Sequence, residues 1–185
     1  MLSSSPYRDV KVIDVARKAG TSPATFYQYF PDVEGAVLEI AEEMAKEGAT
    51  LTDLVAGRSW VGKSAWQAAE DLVEGFLSFW RKHDAILRVV DLGAAEGDKR
   101  FYKIRMKILN AVTNSLTDSI KDLQSKNKVD KDVSPAAIAG SMVAMLAAVA
   151  AHQKGFQSWG VKQAELKPNL ALLVHLGVTG KKPTK

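Results

Sequence analysis

Apolar residues recur at intervals of three and four from Lys11 almost to the C-terminus, and this periodicity constrains the fold more than any other feature. A strand would need strict apolar and polar alternation, which no segment shows. The sequence therefore predicts an all-α protein. Glycine, proline and polar clusters separate the predicted helices, which run from Lys11 to Ala19, Pro23 to Tyr29, Val33 to Ala49, Ser64 to His83, Ala85 to Glu96, Lys99 to Lys126, Pro135 to Phe156 and Lys162 to Leu176.

Bulk composition excludes several classes of protein. The 185 residues include no cysteine, which rules out disulfides, thiolate metal sites and a cysteine nucleophile. The hydrophobic fraction of 46% and the charged fraction of 25% are average for globular proteins and argue against disorder. No basic and apolar leader opens the chain, so we expect a cytoplasmic protein. Residues 181–185 are expected to form a solvated tail.

Charge is distributed unevenly along the N-terminal part of the chain. Residues 1–31 carry four basic and two acidic side chains, whereas residues 32–47 carry six acidic side chains and one lysine. The net charge of +4 is mild, but its basic part is confined to the first segment. Any anionic partner is therefore expected to contact that segment.

Residues 136–151 form an apolar run of 16 residues. A membrane-spanning helix needs roughly 20, and Gly140 and Ser141 interrupt the run. We therefore expect a buried core or interface helix, and no membrane association.

Residues 12–30 predict two short helices joined by a tight turn. Gly20 stands where a left-handed residue ends the first helix. Ser22 is placed to cap the second helix, and Pro23 to occupy its first position, where no amide hydrogen bond is lost. Small Ala16 would let the second helix cross closely. The inner face of the first helix is predicted to consist of Val12, Val15, Ala16 and Ala19.

The second helix has an apolar inner face and a polar outer face. Phe26 and Phe30 are spaced i, i+4 and can pack inward. A capped helix with a polar outer face is typical of one that enters the major groove of DNA. Gln28 is suited to read adenine, and Thr25, Tyr27 and Tyr29 to hold phosphates. The residues predicted to contact DNA are Lys11, Ser22, Pro23, Ala24, Thr25, Tyr27, Gln28 and Tyr29.

The segment Asp14-Val-Ala-x-x-Ala-Gly-x-Ser-x-x-Thr-Phe-Tyr-x-Tyr-Phe30 resembles the DNA-binding signature of TetR-family repressors. The similarity continues through Pro31-Asp-Val-Glu-Gly-Ala-Val-Leu38, where that family begins its connecting helix. The resemblance implies an N-terminal helix-turn-helix module followed by a helical bundle for ligand binding and dimerisation.

The chain departs from the pattern of that family at three places. The first helix of the family's DNA-binding domain would precede Tyr7, and residues 1–6 match at most its last turn. Members of that family usually have a lysine at the position of Val33 and a threonine at the position of Lys11. One phosphate contact is thus expected to be lost and another gained.

A rival interpretation starts from residues Gly57 to Ser64, which fit the phosphate-loop pattern Gly-x4-Gly-Lys-Ser. Residues Ile86 to Asp91 would then be the magnesium-binding strand of a nucleotide-binding enzyme. A phosphate loop joins a buried strand to a helix, whereas a long charged helix precedes this one. Ser64 as the N-cap of the next helix explains the same residues, and Lys63 is then a solvated loop residue.

Other chemical sites are not indicated. His83, His152 and His175 are far apart and lack carboxylates at ligand spacing, so we expect no metal centre. Glu42 and Glu43 are expected to lie on a solvated helix face. The sequence predicts no catalytic residues and no cofactor.

A stripe of residues at alternating spacings of four and three predicts a helix-packing face near the C-terminus. With the leucines of the last helix it would form half of a four-helix dimer interface, and an internal core explains it equally well. Gly140 and Ala144 would permit close approach of a neighbouring helix. The stripe consists of Ile138, Met142, Met145, Val149, His152 and Phe156, and the leucines are Leu166, Leu170 and Leu173.

Aromatic, methionine and amide side chains on several bundle helices predict a pocket for a small apolar ligand. Ordinary core packing is the alternative for most of them. The predicted ligand-binding residues are Trp66, Phe76, Phe79, Trp80, Phe101, Met106, Asn110, Asn114, Met142 and Met145.

Together with these patterns, the resemblance to the TetR family implies a homodimeric, ligand-responsive transcriptional repressor. Residues 1–48 would form the DNA-binding domain, and residues 49–180 the ligand-binding and dimerisation domain. Its partners would be a double-stranded DNA operator and a small apolar molecule.

Overall fold

The computed structural model describes Leu2 and residues 6–181, and no strand occurs within these residues. The prediction of an all-α protein is confirmed. Most of residues 1–6, where the last turn of a preceding helix was predicted, and most of the predicted tail lie outside the described residues. The helices are α1 (Val12–Lys18), α2 (Pro23–Tyr29), α3 (Val33–Ala49), α4 (Lys63–Ala95), α5 (Lys99–Ser125), α6 (Pro135–Ala151) and α7 (Gln163–Thr179), and short 3-10 helices occur at Tyr7–Asp9, Thr50–Leu54 and Gln153–Trp159.

Helix α4 corrects the predicted break between His83 and Ala85. It continues without interruption for 33 residues. No glycine or proline occurs at the predicted break, so nothing in the sequence stops the backbone hydrogen-bond ladder there. Two predicted helices are therefore one.

Helix α6 also differs from its prediction, because it ends at Ala151 and not at Phe156. The side chain of Gln153 donates to the carbonyl oxygen of Ala150 at 2.9 Å and satisfies one of the terminal carbonyl groups. The chain then continues as the 3-10 helix Gln153–Trp159. His152 and Phe156 therefore do not extend α6.

The chain folds as two compact units, to both of which α4 and α5 contribute residues. The first contains the residues up to Lys46 together with His83–Met106. A Cβ atom added at Gly93 would lie 2.3 Å from the Phe101 ring, so α4 and α5 approach closely in this unit. Buried apolar side chains fill its core, among them Ala16, Phe26, Val37, Ala41, Leu87, Val90, Phe101 and Ile104.

The second unit contains Glu47–Lys82 and the chain from Lys107 onward. A Cβ atom at Gly177 would lie 2.8 Å from the sulfur of Met142, which shows how closely α6 and α7 approach. The sequence predicted a close helix approach at Gly140, but nothing lies within 4 Å of a Cβ atom built there, and the close approach within the chain is at Gly177. Its core includes Leu72, Phe76, Ile108, Val112, Leu116, Ile120, Leu146 and Val174.

No single helix in the described part of the chain has the length and hydropathy needed to cross a membrane. Helix α6 and the 3-10 helix that follows it reach that length only together, across a bend of 78°.

Candidate nucleic-acid interface

The turn between α1 and α2 is built from local hydrogen bonds. The amide of Thr21 donates to the carbonyl oxygen of Ala16 at 2.9 Å, which closes the end of α1. Gly20 has a φ angle of +67°, a conformation that glycine adopts without steric cost. These contacts fix the point at which the chain reverses toward α2.

Ser22 begins α2 as predicted. Its hydroxyl oxygen accepts from the amide of Thr25 at 3.1 Å, and Pro23 occupies the first turn. The hydroxyl group of Thr25 lies 3.0 Å from that of Ser22. Thr25 is half-buried and bonded within the helix start, so its hydroxyl is less free to bind phosphate than the sequence suggested.

The inner face of α2 packs on α1 and on the residue that follows α2. Phe26 is buried, and its ring centroid lies 5.4 Å from that of Phe30. Ala16 of α1 is fully buried, which lets α2 lie close. The prediction that Ala19 belongs to the inner face of α1 is wrong, because Ala19 is exposed.

The outer face of α2 is formed by Tyr27, Gln28 and Tyr29. Gln28 is exposed, Tyr27 is 58% exposed and Tyr29 is 75% exposed. Both tyrosine side chains are therefore accessible to a partner. Lys11, immediately before α1, is exposed, as are Ser22, Pro23 and Ala24 at the start of α2.

Two basic residues of α1, Arg17 and Lys18, were not among the residues predicted to contact DNA. Both are exposed in the last turn of α1, and Arg17 lies 3.4 Å from Asp14. The local excess of basic residues was the signal that could have included them.

A polar cluster joins α3 and α5 within the first unit. Glu34 accepts from the Tyr7 hydroxyl at 3.2 Å and also pairs with Arg100. Arg100 in turn lies 2.6 Å from the carboxylate of Asp98. Hydrogen bonds from Arg100 lower the pKa of Asp98 to about 2, while partial burial and then Glu34 raise the pKa of Tyr7 to about 12. At neutral pH Asp98 is therefore charged and Tyr7 neutral.

Further contacts attach the start of the described chain to the same unit. Arg8 pairs with Glu96 near the end of α4.

Asp32 accepts from the amide of Gly35 at 2.7 Å and caps α3. Val33, which stands where the family has lysine, is half-buried at the start of that helix.

The phosphate-loop pattern from Gly57 to Ser64 lies in the second unit, in a setting unlike that of a phosphate loop. A 3-10 helix, Thr50–Leu54, precedes it in place of a strand. Lys63 is the first residue of α4, so Ser64 lies within the first turn and not at the N-cap. The proposed magnesium-binding strand, residues 86–91, is part of α4.

An open apolar groove of 680 Å³ runs between α6 and α7 and continues to the 3-10 helix Gln153–Trp159. Met145, Val149 and Phe156 of the predicted stripe line it, and Ile138 and Met142 are half-buried nearby on α6. His152 is exposed and does not line this groove.

The leucines of α7 divide between two environments. Leu166 and Leu170 are buried in the core of their own chain, although both reach the wall of the groove, whereas Leu173 is 48% exposed. Trp159, which the sequence analysis did not select, is 76% exposed and packs on Phe156 with ring centroids 5.2 Å apart.

The predicted ligand-binding residues occupy several environments. Phe76, Phe79 and Trp80 pack together in the core, with the rings of Phe76 and Trp80 stacked at 5.4 Å. Phe101 is buried in the first unit, while Met142 is half-buried against Gly177 of α7 and Met145 lines the open groove between α6 and α7.

The remaining members of that set are more open. Trp66 is half-buried, and its ring lies 6.0 Å from that of His175. Met106 is half-buried, whereas Asn110 and Asn114 are exposed on the outer face of α5.

Glu42 is half-buried on α3, and the neighbouring Glu43 is exposed. Within the described ranges, no three His, Asp or Glu side chains converge as metal ligands.

Comparison with known families gives two matches. A model described as bacterial regulatory proteins, tetR family, matches residues 1–45. A second model, described as the tetracyclin repressor-like C-terminal domain, matches residues 51–185, well over half of the chain. No curated protein matches the sequence. The helix-turn-helix geometry and these matches together show that the chain belongs to the TetR family of DNA-binding transcriptional regulators.

Proposed function

We propose that the protein is a homodimeric repressor that reads its operator with the outer face of α2 and is released by a small, mainly apolar ligand. Residues 1–48 would bind DNA, and residues 49–180 would bind the ligand and dimerise. The observation that carries the proposal is the contrast between buried Phe26 and the open side chains of Tyr27 and Tyr29 on the same short helix. Regulators of this family are generally not enzymes.

Gln28 is the residue assigned to base recognition. A glutamine amide both donates and accepts, so it can form a bidentate pair with adenine in the major groove. Tyr27 and Tyr29 have donor hydroxyls suited to phosphates, and Lys11, Arg17 and Lys18 add positive charge beside them.

The experiment is measurement of operator affinity, after selection of bound fragments from genomic DNA. The Gln28→Ala variant should relax base preference at one position, with a loss of about 1–3 kcal/mol on the preferred site. Tyr29→Ala should weaken binding to all sequences alike. Tyr102→Ala is a matched control, because Tyr102 is 54% exposed on α5 in the same unit. Unchanged affinity in a Gln28→Ala, Tyr29→Ala double variant would remove α2 from the interface.

Dimerisation is assigned to the outer face of α6 and α7, as expected for a family that typically forms homodimers. Exposed Leu173, which lines the open groove, and exposed Trp159, which packs on the groove residue Phe156, support this assignment, because a second chain would remove their apolar surface from water. Gly140 has open space around it and Ala144 is exposed, so a neighbouring helix could approach closely. Two-fold symmetry would then match two half-sites about one helical turn, or a multiple of it, apart.

The ligand is assigned to the aromatic cluster around Trp80. Its indole Nε1 is buried and has no hydrogen-bond partner among the described residues. An unsatisfied buried donor costs about 1–3 kcal/mol, and a ligand with one acceptor atom would recover it. Trp80→Phe should reduce the ligand's effect on operator release while operator affinity without ligand stays unchanged.

A further inference from the structure

Two buried nitrogen atoms in the second unit lack hydrogen-bond partners among the described residues, and the two residues that carry them line the same cavity. They are Nε1 of Trp60, a residue 4% exposed, and Nδ1 of His175, a residue 3% exposed. Trp60 lies in the loop before α4, and His175 lies on α7. The two side chains come from segments far apart in sequence, so the fold itself brings these polar groups together.

The cavity has a volume of 180 Å³ and a strongly cationic rim. Lys128, after the end of α5, and Lys181, after α7, both line it and are exposed, and its lining among the described residues includes no Asp or Glu. An indole N–H and two ammonium groups are all donors, with no acceptor capacity. The polar groups therefore favour an anion.

Thr179 also lines the cavity, but its hydroxyl already donates to the carbonyl oxygen of His175 at 2.7 Å and accepts from the amide of Lys181 at 3.2 Å. The remaining wall is apolar and includes Val61 and Leu123. Inorganic phosphate would leave this surface uncovered, whereas a carboxylate with a short hydrocarbon chain would satisfy both parts of the wall. Pockets for drug-sized ligands are about 300–1,000 Å³, so this cavity fits a much smaller molecule.

We propose that the cavity between the loop before α4, the end of α5 and the end of α7 is a binding site for a small aliphatic monocarboxylate. The carboxylate accepts from the Trp60 indole and lies near the ammonium groups of Lys128 and Lys181. The imidazole of His175 contributes a further hydrogen bond, and the hydrocarbon chain packs on Val61 and Leu123. The sequence pattern around Gly57 to Ser64 thus contributes to an anion site, but through Trp60 and without a phosphate loop.

The test is a titration of the whole chain with butyrate, followed through the indole N–H resonances of the four tryptophans. The resonance that disappears in Trp60→Phe identifies Trp60, and it should show the largest shift. The double variant Lys128→Gln, Lys181→Gln changes only exposed residues and should weaken binding about tenfold. Lys131→Gln is its matched control, because Lys131 is exposed in the same loop as Lys128 and does not line the cavity.

Butyramide tests the charge of the ligand, and inorganic phosphate tests its class. Weaker binding of both than of butyrate supports the proposal. Equal binding of butyramide, or tighter binding of phosphate, would overturn the assignment to a carboxylate. No response of the Trp60 resonance to any straight-chain carboxylate from acetate to hexanoate would overturn the site.

Discussion

Helices α2 and α6 begin in the same way but differ in the chemical character of their outer faces. Each has serine at the N-cap and proline at the first position, with hydroxyl oxygens that accept at 3.1 Å from Thr25 and at 3.4 Å from Ala137. Beyond that start, α2 exposes two tyrosines and a glutamine, whereas α6 exposes alanine and half-exposes methionine and valine. Under the proposed function, the shared cap positions each helix, and the side chains on the outer face decide whether its partner is DNA or a second copy of the chain.

The largest effect is expected from a change on the outer face of α6. Met145→Lys would place an unpaired charge in the proposed dimer interface, at a cost of about 2–5 kcal/mol. Light scattering should then show monomers of 20.1 kDa and weak operator binding. Lys154→Glu, an exposed change nearby, should leave the dimer intact. A variant that stays dimeric but loses its ligand response would place Met145 in the ligand site.

A change beneath α2 should act on DNA binding alone. Ala16 is fully buried where α1 and α2 approach, so Ala16→Leu overpacks that contact by about 1–3 kcal/mol. Operator affinity should fall at least tenfold while the dimer mass is unchanged. Ala19→Leu, on the exposed side of the same segment, is the control and should bind DNA normally. Equal losses in both variants would contradict the packing role of Ala16.

The shared cap can be removed from each helix in turn. Ser22→Ala and Ser134→Ala should each cost about 1 kcal/mol of helix stability, measured by thermal unfolding. Only Ser22→Ala should also weaken operator binding, because α2 has seven residues and little else to hold its outer face. A similar loss of operator affinity in Ser134→Ala would show that the two helices are not separable.

The smallest effect is expected at Lys63, the first residue of α4. Lys63→Ala should change unfolding free energy by less than about 0.5 kcal/mol, since the side chain is exposed. Operator affinity and ligand response should also be unchanged. Magnesium-dependent ATP binding that disappears in this variant would support the nucleotide-binding alternative.

Prediction from sequence succeeded where structure depends on near neighbours. The bounds Pro23–Tyr29 were predicted correctly, because the serine cap, the proline and the two phenylalanines all lie within nine residues. The exposure of Gln28 and Tyr29 followed from the same local register. The predicted break in α4 was wrong because it had no breaking residue to support it.

Prediction was weaker where tertiary packing decides a side chain's environment. Asn110 and Asn114 were predicted to bind the ligand because of their amide groups. The face of α5 that packs in the core is the opposite one, which carries Ile108 and Val112, so both asparagines are exposed. Trp60 was passed over because it lies in a loop, although distant helices bury it. Neither outcome follows from spacing along the chain alone.

The backbone conformation of Gly20 would accept a D-amino acid more readily than an L-amino acid. A Cβ atom built there meets nothing within 4 Å, so the position requires the left-handed backbone conformation and not the small size of glycine. An L-alanine would be strained at φ +67°, whereas its mirror image prefers that angle. A D-alanine installed at position 20 by chemical ligation would therefore fit, and by restricting the unfolded chain it would stabilise the helix-turn-helix by about 0.4–1 kcal/mol.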